Sequence, residues 1–166
     1  MIRFEAVQLR RLATDVIQQL NVANTVQVLE VRELSDGSWM VVFEDRYPDT
    51  RFPGFEIGIQ PEWSPEEAVR ELRLELRNKL WICPLCQRRV QIRRIIDRAL
   101  FRVECDQCGR FEIEHDLLKF LREAFELGDP AVLAQLSRLS ASIARSGDMP
   151  VLTPDNWQQL ADAGAD

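Results

Sequence analysis

Four cysteines in a C-x2-C-x18-C-x2-C pattern, an α-β-β-β-α succession of apolar periodicities before them and helical stripes after them predict an α+β protein. The expected layout is an α-β-β-β-α domain over residues 1–80, a four-cysteine zinc ribbon with its following helix over 81–127, and a C-terminal helical tail over 128–166.

From Glu5 to Leu20, the residues Leu9, Leu12, Ala13, Val16, Ile17 and Leu20 recur at three- and four-residue steps, which places them on one helical stripe ending near Asn21 and Asn24. Thr25 to Leu34 is rich in β-branched residues, Ser35-Asp36-Gly37-Ser38 is a turn signal, and Trp39 to Asp45 is a second apolar run, so a β-hairpin is expected. Beyond Tyr47-Pro48-Asp49, Phe55-Glu56-Ile57-Gly58-Ile59 alternates strictly and makes a third strand, with Pro53 and Gly54 marking an edge or a bulge at its start. The next helix starts at Ser64, with Pro65 at its first position and Glu67 completing a capping box. It should run to about Lys79 with Ala68, Val69, Leu72, Leu76 and Leu80 inward. A three-stranded antiparallel sheet with both helices on one face buries all these stripes.

This order resembles the double-stranded-RNA-binding domain, a family that contacts phosphates through a lysine cluster at the start of its second helix. Here that position reads Glu62-Trp63-Ser64-Pro65-Glu66-Glu67, whose carboxylates suit a helix N-terminus and repel phosphate. The likeness is one of topology only, and a scaffold or protein-interaction role is expected for residues 1–80. Lys79-Leu80-Trp81-Ile82 then leads without a linker into Cys83, with Trp81 expected as a plug between two cores.

Cys83, Cys86, Cys105 and Cys108 are the only cysteines. A tetrahedral Zn²⁺ needs four thiolates converging on one point, and two residues between cysteines let one turn present both sulfurs. Pro84 stiffens the first turn, and Gly109 supplies the positive φ with which the chain leaves the second. Such a site has no open coordination position, so the expected cofactor is a structural Zn²⁺. Two other chemistries fit the residue types. Cys83 and Cys86 read as C-P-x-C match a redox pair, but no βαβ pattern surrounds them. Disulfides would need an oxidising compartment, and Met1 to Leu20 shows a charged amphipathic pattern without the apolar core of a secretory signal, so a cytoplasmic location is expected.

Between the two cysteine pairs, Val90 and Ile92 alternate with polar residues, Phe101 and Val103 do the same, and a turn near Asp97 joins the two strands. Phe111 and Ile113 add a third strand, completing the zinc-ribbon pattern. The chain carries a net charge of −6 and no apolar run of membrane-spanning length, which argues against a membrane role and against general coating of nucleic acid. Residues 1–82 carry −4, residues 83–114 carry +2 and residues 115–166 carry −4, so the ribbon is the only basic segment. Arg88, Arg89, Arg93, Arg94, Arg98 and Arg102 decorate it as candidates for contact with nucleic acid or a partner. Four thiolates around Zn²⁺ add −2, which tempers that patch.

His115, the sole histidine, lies in Glu112-Ile113-Glu114-His115-Asp116; a general base is one reading and a helix start the other, because Leu117, Leu118, Phe120, Leu121, Ala124 and Phe125 follow as a helical stripe. No Ser/His/Asp set, Gly-rich phosphate loop or H-E-x-x-H accompanies it. Gly128 closes this helix, and Asp129-Pro130 opens another that runs to about Arg145 with Val132, Leu133, Leu136, Leu139 and Ile143 inward and ends at Gly147. Thr153-Pro154-Asp155 caps a last short helix with Trp157 and Leu160, and residues 161–166 are expected to fray.

Residues 83–160 resemble a module of uncharacterised bacterial proteins: a C-P-x-C knuckle, a C-x-x-C-G-x-F-x-I knuckle and strand, a leucine-rich helix, an L-S-x-x-I helix and an L-T-x-x-N turn. Cys83, Pro84, Cys86, Cys105, Cys108, Gly109, Phe111, Ile113, Leu139, Ser140, Ile143, Leu152, Thr153 and Asn156 carry the match. The resemblance implies an accessory part of a defence or mobile-element protein, with no activity attached. The function expected is therefore that of a non-catalytic adaptor with a protein partner and no enzymatic activity. The alternative is a nucleic-acid-binding regulator using the ribbon arginines, and a third class is an enzyme with reactive thiols.

Overall fold

The computed structural model describes residues 3–48 and 50–164, and they form five helices and two sheets, a mixed α+β protein. The chain divides into two compact units, Met1–Leu80 and Trp81–Asp166.

In the first unit the order is α1 (Ala6–Gln19), β1 (Val26–Glu33), β2 (Trp39–Asp45), β3 (Gly54–Ile59) and α2 (Pro65–Lys79), with the strands in an antiparallel sheet of order β1-β2-β3. Period-two patterning selects the buried face. Val41 pairs with Ile57 and Phe43 with Phe55, all four buried, and the two phenyl rings stack with centroids 5.2 Å apart. Leu9, Ala13, Val16 and Ile17 of α1 and Ala68, Leu72 and Leu76 of α2 cover that face, while Gln27, Glu30, Arg32, Glu56 and Gly58 of the other face are exposed. Ser64 caps α2 through the reciprocal bonds expected: its Oγ accepts the Glu67 N–H at 3.2 Å, and its own N–H donates to Glu67 Oε2 at 2.7 Å.

Pro53 and Gly54 do mark an edge strand, but the bulge lies in β1, between Val28 and Glu30. One extra residue there shifts the inward positions from Val26 and Val28 to Val31, leaving Leu29 half-exposed. Arg10 of α1 donates to the carbonyls of Val28 (3.0 Å) and Leu29 (2.9 Å), which fastens helix to bulge and occupies acceptors of an edge strand.

The second unit holds β4 (Gln91–Ile95), β5 (Leu100–Cys105), β6 (Gly109–Glu114), α3 (His115–Leu127), α4 (Pro130–Ser146), β7 (Val151–Leu152) and α5 (Trp157–Ala163). Its sheet has the order β4-β5-β6-β7, antiparallel except for the β6–β7 pair. Ile92, Val103 and Phe111 form one inward row and Ile113 and Leu152 belong to the next, against Leu117, Leu118 and Leu121 of α3 and Leu136, Leu139 and Ile143 of α4. Trp81, half-buried, packs on this core too.

Three details depart from expectation. β7 has no periodicity to betray it, being two residues long; it exists because Glu112 N–H donates to Pro150 O at 2.9 Å and brings a parallel partner to the side of β6 away from β5. The N-cap of α5 is Asn156, not the Thr153 segment, and its side chain reaches backward: Oδ1 accepts the Thr153 N–H (2.8 Å) and Nδ2 donates to Val151 O (2.9 Å). Residues 161–164 are docked instead of frayed. Ala161 is fully buried, Arg145 donates to Gly164 O at 2.9 Å, and a Cβ at Gly164 would lie 2.6 Å from Ser142 Cβ, so only glycine lets the end of α5 approach α4 this closely. Among the described residues, no helix is long and apolar enough to cross a membrane.

Phe43 has no exposed surface and stacks on Phe55. Phe43→Ala should therefore destabilise the first unit by about 3–5 kcal/mol, read from the urea midpoint by circular dichroism.

Candidate metal centre

Two turns bring the cysteines together. The first is closed by an isolated bridge between Ile82 and Arg89, with Cys83 N–H donating to Arg88 O at 2.7 Å and Gln87 N–H to Cys83 O at 2.9 Å. The second is the β5–β6 hairpin turn: Cys105 pairs with Gly109, and Cys108 N–H points at Cys105 Sγ at 3.5 Å. In each, the residue after the second cysteine is left-handed, Gln87 at φ 62° and Gly109 at φ 86°. Gly109 was legible as the residue type such a turn needs; Gln87 was not. Its side-chain amide donates to Cys83 O at 2.9 Å, so a left-handed residue there closes the same turn twice.

The sulfurs interlock. Cys83 Sγ lies 3.8 Å from Cys108 Sγ and Cys86 Sγ 3.5 Å from Cys105 Sγ, each contact joining one turn to the other, and all four sulfurs lie within 4.8 Å of one another. None of the four cysteines is in a disulfide. Cys83, Cys105 and Cys108 are buried and Cys86 is half-buried, and the cluster is continuous with the apolar core through Leu85, Val90 and Phe111. Ser140 of α4 places its Oγ 2.9 Å from Cys108 Sγ, where a hydroxyl can donate to a thiolate.

Thiols this close compete for protons. Contact with Cys105 pushes the Cys83 and Cys108 thiols up, while Cys105 is pulled down, first by Cys108. At Cys86 contact with Cys105 acts upward, but contacts with Cys108 and Cys83 outweigh it and bring the thiol down from 9.0 to about 7. A divalent cation among four thiolates removes this competition. The donor set and its convergence thus fit a metal ion.

The six candidate arginines do not share one environment. Arg102 is committed within the sheet: its Nη2 lies 2.7 Å and its Nε 3.2 Å from Oε1 of Glu112, a carboxylate only 6% exposed. Arg89 is half-buried beside the first turn and already has a partner. Arg88, Arg93, Arg94 and Arg98 are exposed and, among the described residues, form no ion pair. Arg94 also lines an open cleft of about 420 Å³ with Ala99, Phe101, Glu114, His115 and Asp116. His115 is the first residue of α3; its Nδ1 lies 3.3 Å from Asp116 Oδ1, and its ring sits 6.1 Å from that of Phe101.

No protein-family model matches the chain, and no curated protein or solved structure is significantly similar to it.

Ser140→Ala should leave the fold intact and weaken metal binding about 10–100-fold in competition with a chromogenic chelator. Arg102→Ala, which strips Glu112 of its cation, should cost about 1–3 kcal/mol of stability, whereas Arg93→Ala and Arg94→Ala should each stay within about 0.5 kcal/mol, all by urea titration.

Proposed function

We propose that the protein is a non-catalytic zinc-ribbon adaptor whose four cysteines hold one structural Zn²⁺, and whose surfaces join a protein partner into a larger assembly. The observation that carries this reading is the convergence of four sulfurs from two turns, with closest contacts between the turns of 3.5 and 3.8 Å. A tetrahedron with Zn–S bonds of about 2.3 Å has S···S edges of about 3.8 Å. Four thiolate ligands favour zinc among common divalent ions and leave no position for water or substrate, so the metal braces the fold and activates nothing. The role as an accessory part of a bacterial defence or mobile-element complex is supported by the module resemblance alone.

A second reading, a nucleic-acid-binding regulator, is favoured by the free guanidinia of Arg88, Arg93, Arg94 and Arg98. It requires affinity that falls steeply with salt. The acidic balance of the whole chain, −6, weighs against it.

Protein purified without added zinc should contain about one zinc per chain by elemental analysis, with its thiols shielded until a chelator removes the metal and the second unit unfolds. Absence of metal together with a fast-reacting Cys83–Cys86 pair would overturn the staple in favour of thiol redox chemistry. Affinity capture from the native host should recover a specific protein partner; recovery of nucleic acid alone would favour the second reading.

A further inference from the structure

β4 is the terminal strand of its sheet, paired with β5 on one side and, among the described residues, with no strand on the other. The opposite edge of that sheet is β7, two residues long and bracketed by Pro150 and Pro154, which offers little to pair with. β4 has neither proline nor bulge: Gln91 to Ile95 keep an unbroken register with Glu104 to Leu100. Its defence against indiscriminate pairing is charge. Arg93 and Arg94 project to opposite faces, Arg93 in the row of Arg102 and Glu112 and Arg94 in the row of Phe101 and Ile113. Both are exposed and, among the described residues, without ion pairs, and Arg98 joins them at the hairpin tip beside Ile96, which is 90% exposed.

That arrangement selects an occupant. A second copy of β4 pairing antiparallel would bring arginine against or beside arginine in any register near the centre, because Arg93 is the middle residue of the strand. Like charges across a pair of strands repel. An incoming strand with carboxylates on both faces meets a guanidinium on each, while its backbone takes up the N–H and C=O groups that the edge leaves unpaired. We propose that the free edge of β4 takes up an extended, carboxylate-rich segment of a partner protein as a fifth strand. The inference rests on the adaptor reading above and names the chemistry of its partner.

The test uses the full zinc-loaded chain and three labelled probes: a peptide of about ten residues built from Glu-Glu-Val-Val repeats, which carries carboxylates on both faces of an extended strand, its Lys-Lys-Val-Val counterpart, and a single-stranded oligonucleotide of matching charge. Fluorescence anisotropy should report binding of the acidic peptide alone, and hydrogen exchange of the unmodified chain should show the amides of residues 91–95 slowed by it. The double charge reversal Arg93→Glu with Arg94→Glu should weaken binding at least about tenfold, and Arg110→Glu on β6 should change it little. If the reversed variant loses zinc or fails to fold, Arg93→Gln with Arg94→Gln replaces it, and the exchange experiment needs no variant. Peptide binding without protection of β4, binding of the oligonucleotide instead, or binding of neither probe would each overturn the inference. A host partner captured equally by the unmodified and reversed chains would overturn it while leaving the adaptor reading standing; no partner with either would sink both.

Discussion

Four sulfurs on two separate turns must meet near one point, and the second unit is arranged around that requirement. The Cys105–Gly109 register sets where the hairpin turns and hence where the second pair of sulfurs sits. At Gly109 a Cβ would lie 3.7 Å from both the carbonyl oxygen and Cγ2 of Ile143, so α4 passes directly over the turn and delivers Ser140 to Cys108. α4 is held in turn by α5, whose terminal glycine fits against Ser142 where a side chain could not. A metal ion held by the four sulfurs would cross-link chain segments some twenty residues apart and add to what the apolar core of this unit supplies. Because the cysteines belong to the same buried cluster as Phe111 and Leu139, a metal bound there would couple directly to core packing.

The two turns solve the same backbone problem with different residues. Both leave the second cysteine through a left-handed residue, a conformation that costs a non-glycine side chain about 1–2 kcal/mol. At the second turn, where φ is 86°, glycine is the answer because it carries no Cβ to strain. At the first, glutamine tolerates the strain and its amide returns a hydrogen bond to Cys83 O, which offsets part of it. Both solutions spare the sulfurs from carrying backbone strain themselves. The L-S-x-x-I and L-T-x-x-N residues gain a physical meaning beside them: Leu139 and Ile143 pack the core, Ser140 meets a sulfur, and the Asn156 side chain ties β7 to the start of α5.

Legibility followed the range over which each signal acts. The capping box of α2, the cysteine spacing and the alternation of β3 are local patterns, and each element formed where its pattern lies. The β1 bulge was hidden because a chain rich in valine offers several registers, and only the Arg10 bonds to Val28 and Leu29 show which one packing selects. β7 and the docked end of α5 depend on partners far along the chain, Glu112 and Ser142, that no window of sequence contains. The arginines illustrate the same limit. All six looked alike in sequence, yet Arg102 faces Glu112 across a strand pair ten residues away, and its role is settled by register instead of residue type.

Register also decides how far the charge of a metal–thiolate cluster reaches. Summed over residues 83–114, the −2 of a four-thiolate zinc site would cancel the +2 of the side chains. Charges act through distance, however. Arg93 pairs with Arg102, three residues up β5 from Cys105, and Arg94 with Phe101, four residues up. At about 3.4 Å per residue, these rows lie about 10–14 Å from the cysteine end of the strand, a separation over which Coulomb attraction falls well below that of a direct ion pair. Arg98 lies further still, at the hairpin tip, where Asp97 is the only carboxylate of the turn. The negative charge of a metal–thiolate cluster would therefore sit at the buried end of the hairpin, among Cys83, Cys105 and Cys108, while the far end is governed by its own groups, Arg93, Arg94 and Arg98 with Asp97 at the tip and Glu114 and Asp116 in the cleft beside Arg94. An acidic chain can thus present exposed guanidinia along one strand edge, and the folded register, more than the segment's net charge, determines what they meet.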